Sequence, residues 1–356
     1  MMLDTAVIGA GQAGLAMAYH LKRADLTFKV LEASDQVGGS WSAYYNSLTL
    51  FSPARYSSLP GLVFPGDPDS YPRRDAVTTY LQDYARHFDL PVHTGQRVLQ
   101  VTRQGAHFAL QMADGGRLQA RSVVAASGAF AYPYLPQLPG LAEFGGLVLH
   151  SRSYRCPEDF IGQRVLVIGS ANSAVQIADE LRTHSRVTLV SRRPISFLPQ
   201  RAFGQDIHYW LGITGLDRTR WLNDQSTPVL DDGTYRNRIN SGELPRRPMF
   251  KQITSDGVVW ADGQREPVNT LLFATGFRPH VPFLDRLQAV NVDGTLRHKN
   301  GVASSEPGLY FMGYPRLRNF ASATLRGAGP DAAKVKVALL AHLAQTPVPC
   351  TTTWHV

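Results

Sequence analysis

The sequence predicts an α/β fold of two Rossmann-like, three-layer units, the second inserted into the first. Two observations carry this. A short buried strand, a small-residue turn and an apolar-periodic helix follow one another twice, at 5–21 and at 164–181. Buried strand segments then recur at 270–274 and 309–313, so the first unit draws on both halves of the chain. The division is 1–150 with 275–356 for the first unit, and 151–274 for the second.

A length of 356 residues fits about two domains. Cys156 and Cys350 are far apart and form no Cys-x-x-Cys pair, which argues against a disulfide scaffold, a zinc site or a dithiol centre. Two reduced thiols suit a cytoplasmic protein. No apolar run approaches the roughly 20 residues that cross a bilayer. Asp4 and the strand beginning at Thr5 leave no room for a signal peptide, so none is expected. The net charge is +8, but the basic residues are scattered. The short clusters Arg192-Arg193, Arg246-Arg247 and Arg316/Arg318 fit polyphosphate ligands and a solvated surface better than nucleic acid or an anionic membrane. No metal site is expected.

In the first unit, Thr5-Ala6-Val7-Ile8 leads into Gly9-Ala10-Gly11-Gln12-Ala13-Gly14. Gly9 allows the tight turn, Gly11 lets the backbone approach a pyrophosphate, and Gly14 lets helix and strand pack closely. Val30-Leu31 closes the second strand with Glu32 at its end. Its carboxylate can accept from both ribose hydroxyls of an adenosine and repels a 2′-phosphate. FAD or NAD fits this site better than NADP. The stretch Leu48–Gly61 reads as an ordered loop. Asp75 reads as the N-cap of a helix packing Val77, Tyr80, Leu81, Tyr84 and Phe88. A β-meander follows over 92–121, with turns at Gly105 and Asp114-Gly115-Gly116. Val123–Ala126 returns to a buried strand ending at Ser127-Gly128, where a glycine again permits close backbone approach.

In the second unit the turn is Gly169-Ser170-Ala171-Asn172-Ser173-Ala174. Free N–H groups at the helix start can receive a pyrophosphate, making Gly169, Ser170, Asn172 and Ser173 candidate contacts. Arg192 stands 23 residues after Gly169, as Glu32 stands 23 after Gly9. A guanidinium in place of a carboxylate suits a 2′-phosphate, and Arg193 adds a second charge. This site is predicted to prefer NADPH. Ala171 puts a methyl where the phosphates approach. The segment 195–253, with Trp210, Trp221 and Tyr235, reads as irregular. Trp260–Gly263 reads as a hairpin turn.

Taken together, the motifs resemble the class B flavin-containing monooxygenases over nearly the full length. They are Gly9–Gly14; Gly38-Gly39 with Trp41; Phe144-x-Gly146-x-x-x-His150-Ser151-x-x-Tyr154; Gly169–Ala174; and Ala274-Thr275-Gly276-Phe277. The third is the family's identifying motif. LTLFSPARYSSLPG and NFASATLRGAG resemble the small bacterial members, including the arsenic-operon flavoprotein monooxygenases. The resemblance implies a two-dinucleotide-domain flavoprotein that binds FAD and NADPH. NADPH reduces FAD, the reduced flavin captures O2 as a C4a-hydroperoxide, and oxygen passes to a soft nucleophile (sulfide or amine) or a ketone.

It further implies that Gly38, Gly39 and Trp41 cover the FAD ribityl and pyrophosphate, with Gly128, Thr275, Gly276, Ala323 and Thr324 also near cofactor. The helix after Thr324 would lie under the flavin pyrimidine. His150 tethers the interdomain linker, and Asn172 lies at the NADPH site. Phe51 stands where larger members keep an asparagine at the flavin edge, which puts coupling of NADPH oxidation to oxygenation in question. A homodimer fits the family. Two other readings stay open: an NADPH oxidase or flavin-type reductase that mostly makes peroxide, and a redox sensor without turnover.

Overall fold

In the computed structural model the described residues are 2–130, 132–218 and 228–346. Trp221 and Cys350 lie outside them. Strand β1 (Met2–Ile8) turns into helix α1 (Gln12–Lys22), and β2 (Phe28–Leu31) follows. Helix α2 (Arg74–His87) buries Val77, Tyr80, Leu81 and Tyr84 on one face, as their spacing predicts. Asp75 is not its N-cap. Arg73 takes that place in extended backbone, bridged to Thr49, so the helix starts earlier and Asp75 falls in its first turn. A carboxylate there complements the positive helix end.

The predicted meander starts later than Val92: β3 (Val92–His93) instead pairs in parallel with β2 at the sheet edge, and the meander is β4 (Val98–Gln104), β5 (His107–Met112) and β6 (Arg117–Ala125). β4, β5 and β6 pair antiparallel. β6 then runs on without interruption to pair in parallel with β1, so meander and parallel sheet share one strand.

The second unit begins earlier than the 1–150 division places it. β7 (Leu147–His150) pairs in parallel with a strand at Thr270–Phe273, from Thr270↔Leu147 to Phe273↔His150. Phe144, just before it, packs among Leu166, Ile168, Phe250 and Trp260. The hydrophobic side chains that flank the connector therefore belong to this core.

After β7 come β8 (Arg164–Ile168), α3 (Asn172–Leu181) and β9 (Arg186–Ser191). The segment predicted to be irregular holds β10 (Phe197–Pro199), β11 (Arg201–Ala202), β12 (Gln205–Asp206), α4 (Ile207–Thr214), β13 (Val229–Asp231), α5 (Thr234–Ser241) and β14 (Arg246–Pro248). The strands are too short for their side-chain alternation to show in sequence. A three-stranded antiparallel sheet follows, of β15 (Gln252–Ile253), β16 (Gly257–Val259) and β17 (Arg265–Pro267), with the expected turn at Trp260–Gly263. β18 (Thr270–Phe273) completes the parallel sheet, in the order β14-β9-β8-β18-β7.

The chain then returns to the first sheet with β19 (His298–Lys299), β20 (Val302–Ala303) and β21 (Leu309–Phe311), and ends in α6 (Leu325–Gln345). That sheet has the order β19-β20-β21-β6-β1-β2-β3, with β4 and β5 branching from β6. One of its faces packs on α1, α2 and α6 through Leu15, Met17, Tyr80 and Val335. The other packs the meander against Phe283, Leu284 and Leu287. In each sheet the strand order reverses beside the strand that feeds the glycine turn, between β1 and β6 and between β8 and β18. Ligands of open α/β sheets bind outside the strand ends at such points.

Candidate active site: two nucleotide cradles and the cleft between them

The turn after β1 is built so that only glycine fits at two places, Gly9 and Gly14. Gly9 sits at φ +107°, and a Cβ there would lie 2.6 Å from the Ala126 carbonyl oxygen. A Cβ on Gly14 would lie 1.9 Å from the Gly9 carbonyl oxygen. Gly11 and Gly39 face each other across a narrow gap, and a Cβ on Gly39 would reach within 3.0 Å of the Gly11 Cα. Gly38 and Gly39 both take positive φ, and Gly38 N–H donates to the Ala10 carbonyl, so the strap 38–41 folds back over the turn.

Glu32, at the end of β2, is buried. One carboxylate oxygen accepts from Ala10 N–H at 2.7 Å and the other from Ser34 N–H and Oγ at 3.0 and 2.8 Å. Trp41 Nε1 donates to Gln12 Oε1, and Gln12 Nε2 reaches the Ala323 carbonyl, so strap, α1 and the approach to α6 are joined. Thr324 caps α6 by accepting from Gly327 N–H. Gly128, at φ +72°, follows β6 at the same edge. The result is a narrow, backbone-lined gap that added side chains would fill.

The second turn is similar but more open. A Cβ on Gly169 would lie 2.5 Å from the Ala274 carbonyl oxygen and 2.8 Å from the Ala174 Cβ. Ala174 thus closes the strand–helix contact that Gly14 closes in the first unit. Ser170 and Ala171 are exposed, so the Ala171 methyl faces open space. Asn172 accepts at Oδ1 from Leu230 N–H at 3.3 Å, tying α3 to β13. Ser173 lies beside Tyr45. Arg192 and Arg193 follow β9 and are exposed, and neither guanidinium has a partner among the described residues. Arg246 braces the strand end through Ser191 Oγ at 3.0 Å and the Ser191 carbonyl at 3.1 Å.

The identifying motif joins the units. A Cβ on Gly146 would strike the Asn269 carbonyl and the Phe144 ring, which lies against it. His150 Nε2 donates to the Gly276 carbonyl at 3.0 Å, while its Nδ1 accepts from Arg152 N–H at 3.1 Å. These two bonds fix a neutral imidazole. Burial lowers its pKa, the Gly276 bond works against that, and the Arg152 charge adds to it. The two connectors pair as an antiparallel bridge at Pro133↔Phe277, with Tyr134 N–H donating to the same Gly276 carbonyl. Thr275 Oγ1 donates to the Tyr134 carbonyl. Arg152 Nη1 donates to the Phe130 carbonyl at 3.0 Å. Tyr154 is buried and donates to Glu180 Oε2 at 2.8 Å; burial first, then Glu180, pushes its phenol pKa up.

Phe51 lies in the loop 48–61 and lines a cavity of about 760 Å³ between that loop and the second unit. Gln176, Gln200, Tyr235 and Arg236 line the opposite side. The volume is in the range of small-molecule sites. Sequence reasoning missed what stands behind Phe51: Tyr71, Gln200, Asp206 and His208. Nothing in a stretch rich in aromatics marks a single Asp-x-His as special. No group of acidic, histidine or cysteine residues suited to a metal occurs among the described residues.

Residues 6–313 match the family described as pyridine nucleotide-disulphide oxidoreductase. An oxidoreductase described as CzcO-like from Geobacillus kaustophilus is 32% identical over 338 residues, covering 93% of this chain and 96% of that protein. Indole-3-pyruvate monooxygenase YUCCA1 of rice is 32% identical over 313 residues, covering 78% and 77%. The solved flavin-containing monooxygenase of Stenotrophomonas maltophilia superposes with a TM-score of 0.85 at 32% identity, covering 96% and 99%. The chain therefore belongs to the pyridine nucleotide-disulphide oxidoreductase family, and within it to the class B flavin monooxygenases. It is a flavoprotein monooxygenase.

Proposed function

We propose that the protein uses NADPH and FAD to place one atom of O2 on a small soft nucleophile, a sulfide or an amine, or on a ketone. The observation that supports this best is the pairing of the two cradles. The first presents a carboxylate where the second presents two guanidiniums that have no partner among the described residues. FAD fits the first: Gly9, Gly11 and Gly39 leave backbone open to a pyrophosphate, Gly14 and Gly38 let the helix and the strap close around it, and Glu32 Oε2, with one protein donor, keeps a lone pair for a ribose hydroxyl. NADPH fits the second, with Gly169, Ser170 and Ser173 at the pyrophosphate and Arg192 and Arg193 at the 2′-phosphate.

Once bound, FAD supplies the two-electron and oxygen chemistry, and the chain's own residues bind, orient and exclude water. His150, held neutral and doubly hydrogen-bonded, positions the connectors and moves no proton. Gly128, Thr275, Gly276, Ala323 and Thr324 shape the edge of the cleft. Phe51 offers a ring and no hydrogen bond. This favours one second reading, an enzyme that releases much of its oxygen as peroxide.

Disulfide reduction is not proposed, because the sequence has no cysteine pair. No helix among the described residues is long and apolar enough to cross a membrane. The test is to supply isotopically heavy O2 with NADPH and a panel of thioether, amine and ketone probes. Heavy oxygen in one probe class, in proportion to NADPH consumed, supports oxygenation. Peroxide alone supports the second reading.

A further inference from the structure

His208 is the one buried side chain of α4, a helix of eight residues that otherwise presents Tyr209 and Ile213 outward. Its ring stacks with two rings of the first unit. Phe51 stacks on it at 6.0 Å and 16° between planes, and Tyr56 at 5.9 Å and 27°. The imidazole is held by Asp206. Nδ1 of His208 stands 2.7 Å from Asp206 Oδ1, which also accepts the His208 backbone N–H at 2.8 Å.

The other carboxylate oxygen accepts from Tyr71 Oη at 2.6 Å and from Gln200 Nε2 at 3.3 Å. Gln200 Nε2 also donates to the Phe51 carbonyl at 2.7 Å. The contacts close a circuit: Phe51 ring, His208, Asp206, Gln200, Phe51 carbonyl. Three of its members come from the second unit and Phe51 from the first. A second tie between the units is the pair of Arg326, at the start of α6, and buried Asp217 at 2.7 Å. Burial disfavours charge on Asp206, yet the bonds from His208 and Tyr71 hold its carboxyl below the ordinary value. Burial, with the Asp206 bond, raises the Tyr71 phenol.

We propose that Asp206 and His208 form a latch through which the second unit sets the position of Phe51. They are positioning residues, because they act on the site through Phe51 and its loop. A stacked ring and a bonded carbonyl fix both the plane and the depth of Phe51, and neither depends on residues of its own loop. The consequence for the reaction rests on the reading that Phe51 faces the flavin. A loosened Phe51 would admit water and misplace the cap over the oxygen-reacting edge, so oxygen would leave as peroxide.

The test uses the full-length, FAD-loaded protein and four variants: His208→Ala, His208→Phe, Tyr71→Phe and Phe51→Ala. His208→Phe keeps a stacking ring but loses the Asp206 bond. Tyr71→Phe removes only one hydroxyl, so it folds even if His208→Ala does not. Two readouts are taken: amide hydrogen exchange in the peptide 48–57, with and without FAD, and peroxide formed per NADPH oxidised.

Loss of the latch in His208→Ala should speed exchange in 48–57 about ten-fold, with α6 unchanged, as local opening of one segment requires. It should raise the peroxide ratio about five-fold, the scale of one lost contact, while the rate of flavin reduction by NADPH holds. His208→Phe and Tyr71→Phe should fall between wild type and His208→Ala in both. The proposal is overturned if exchange in 48–57 and the peroxide ratio match wild type in Tyr71→Phe and in whichever His208 variants fold, while Phe51→Ala raises the ratio. If Phe51→Ala also leaves the ratio unchanged but exchange rises in the latch variants, the latch stands and the placement of Phe51 at the flavin fails.

Discussion

His150 Nε2 lies 3.0 Å from the carbonyl oxygen of Gly276, and through that bond the end of β7 is tied to the connector that returns the chain to the first unit. The imidazole also packs edge-on against Phe277 at 4.9 Å. Phe277 in turn meets Phe130 at 5.6 Å and Tyr44 at 6.5 Å, and Tyr44 meets Trp41 at 5.8 Å. One aromatic cluster thus runs from the strap of the first cradle to both connectors. The two sheets of this monooxygenase are joined here.

The state of His150 gives a pH prediction. Its folded pKa is lowered from 6.5, as are those of His20, His93, His298 and His342, in each case first by burial. Between the folded and unfolded values the unfolded chain holds more protons. Stability therefore falls as pH drops below the unfolded value, and this loss stops once both states are protonated. Melting should drop from about pH 7.5 to about pH 5. His150→Gln keeps a donor for Gly276 but does not titrate, so it should show a smaller drop. An identical drop in both proteins would contradict the assignment.

Gly14 and Gly11 of the first turn should fail in different ways. Gly14→Ala forces a Cβ against the Gly9 backbone, where nothing can yield. It should cost about 3 kcal/mol or more, and the protein should melt far lower or not fold. Gly11→Ala meets nothing closer than the Gly39 Cα at 3.8 Å. That variant should fold with a normal far-ultraviolet spectrum yet bind FAD about ten-fold or more weakly, since the methyl fills the gap the pyrophosphate needs. FAD affinity equal to wild type in Gly11→Ala would remove the pyrophosphate from that gap.

Arg192 and Arg193 end β9 with no guanidinium partner among the described residues, and this is the basis for a selectivity prediction. Arg192→Ala should lower kcat/KM for NADPH about ten- to a hundred-fold, the scale of one lost charge-assisted bond. The value for NADH should change less than about two-fold, since no 2′-phosphate is lost. Equal losses with the two nucleotides would overturn the 2′-phosphate assignment.

Much of the fold and the shape of the two turns are legible in the sequence, for a physical reason. Gly9, Gly14 and Gly169 sit where a side chain collides with backbone, and Glu32 and Arg192 stand at fixed distance from those turns. Such constraints are local, so sequence displays them. The start of α2 is not legible in sequence, because the bridge from Thr49 to Arg73 is a long-range contact that no N-cap pattern reports. The edge strand Leu147–His150 was given to the wrong unit because its partner, Thr270–Phe273, lies more than a hundred residues away. Asp206 and His208 were invisible for the same reason: their meaning depends on Phe51, Tyr56 and Tyr71, which only the folded chain brings to them.

The central claim is that one polypeptide holds FAD in the first cradle and receives NADPH in the second. Rapid anaerobic mixing of the FAD-loaded protein with NADPH tests it most directly. The account predicts loss of the flavin's visible absorbance on the timescale of turnover, faster with NADPH than with NADH. A protein that takes up no FAD, or a bound flavin that stays oxidised after NADPH is added, would contradict it.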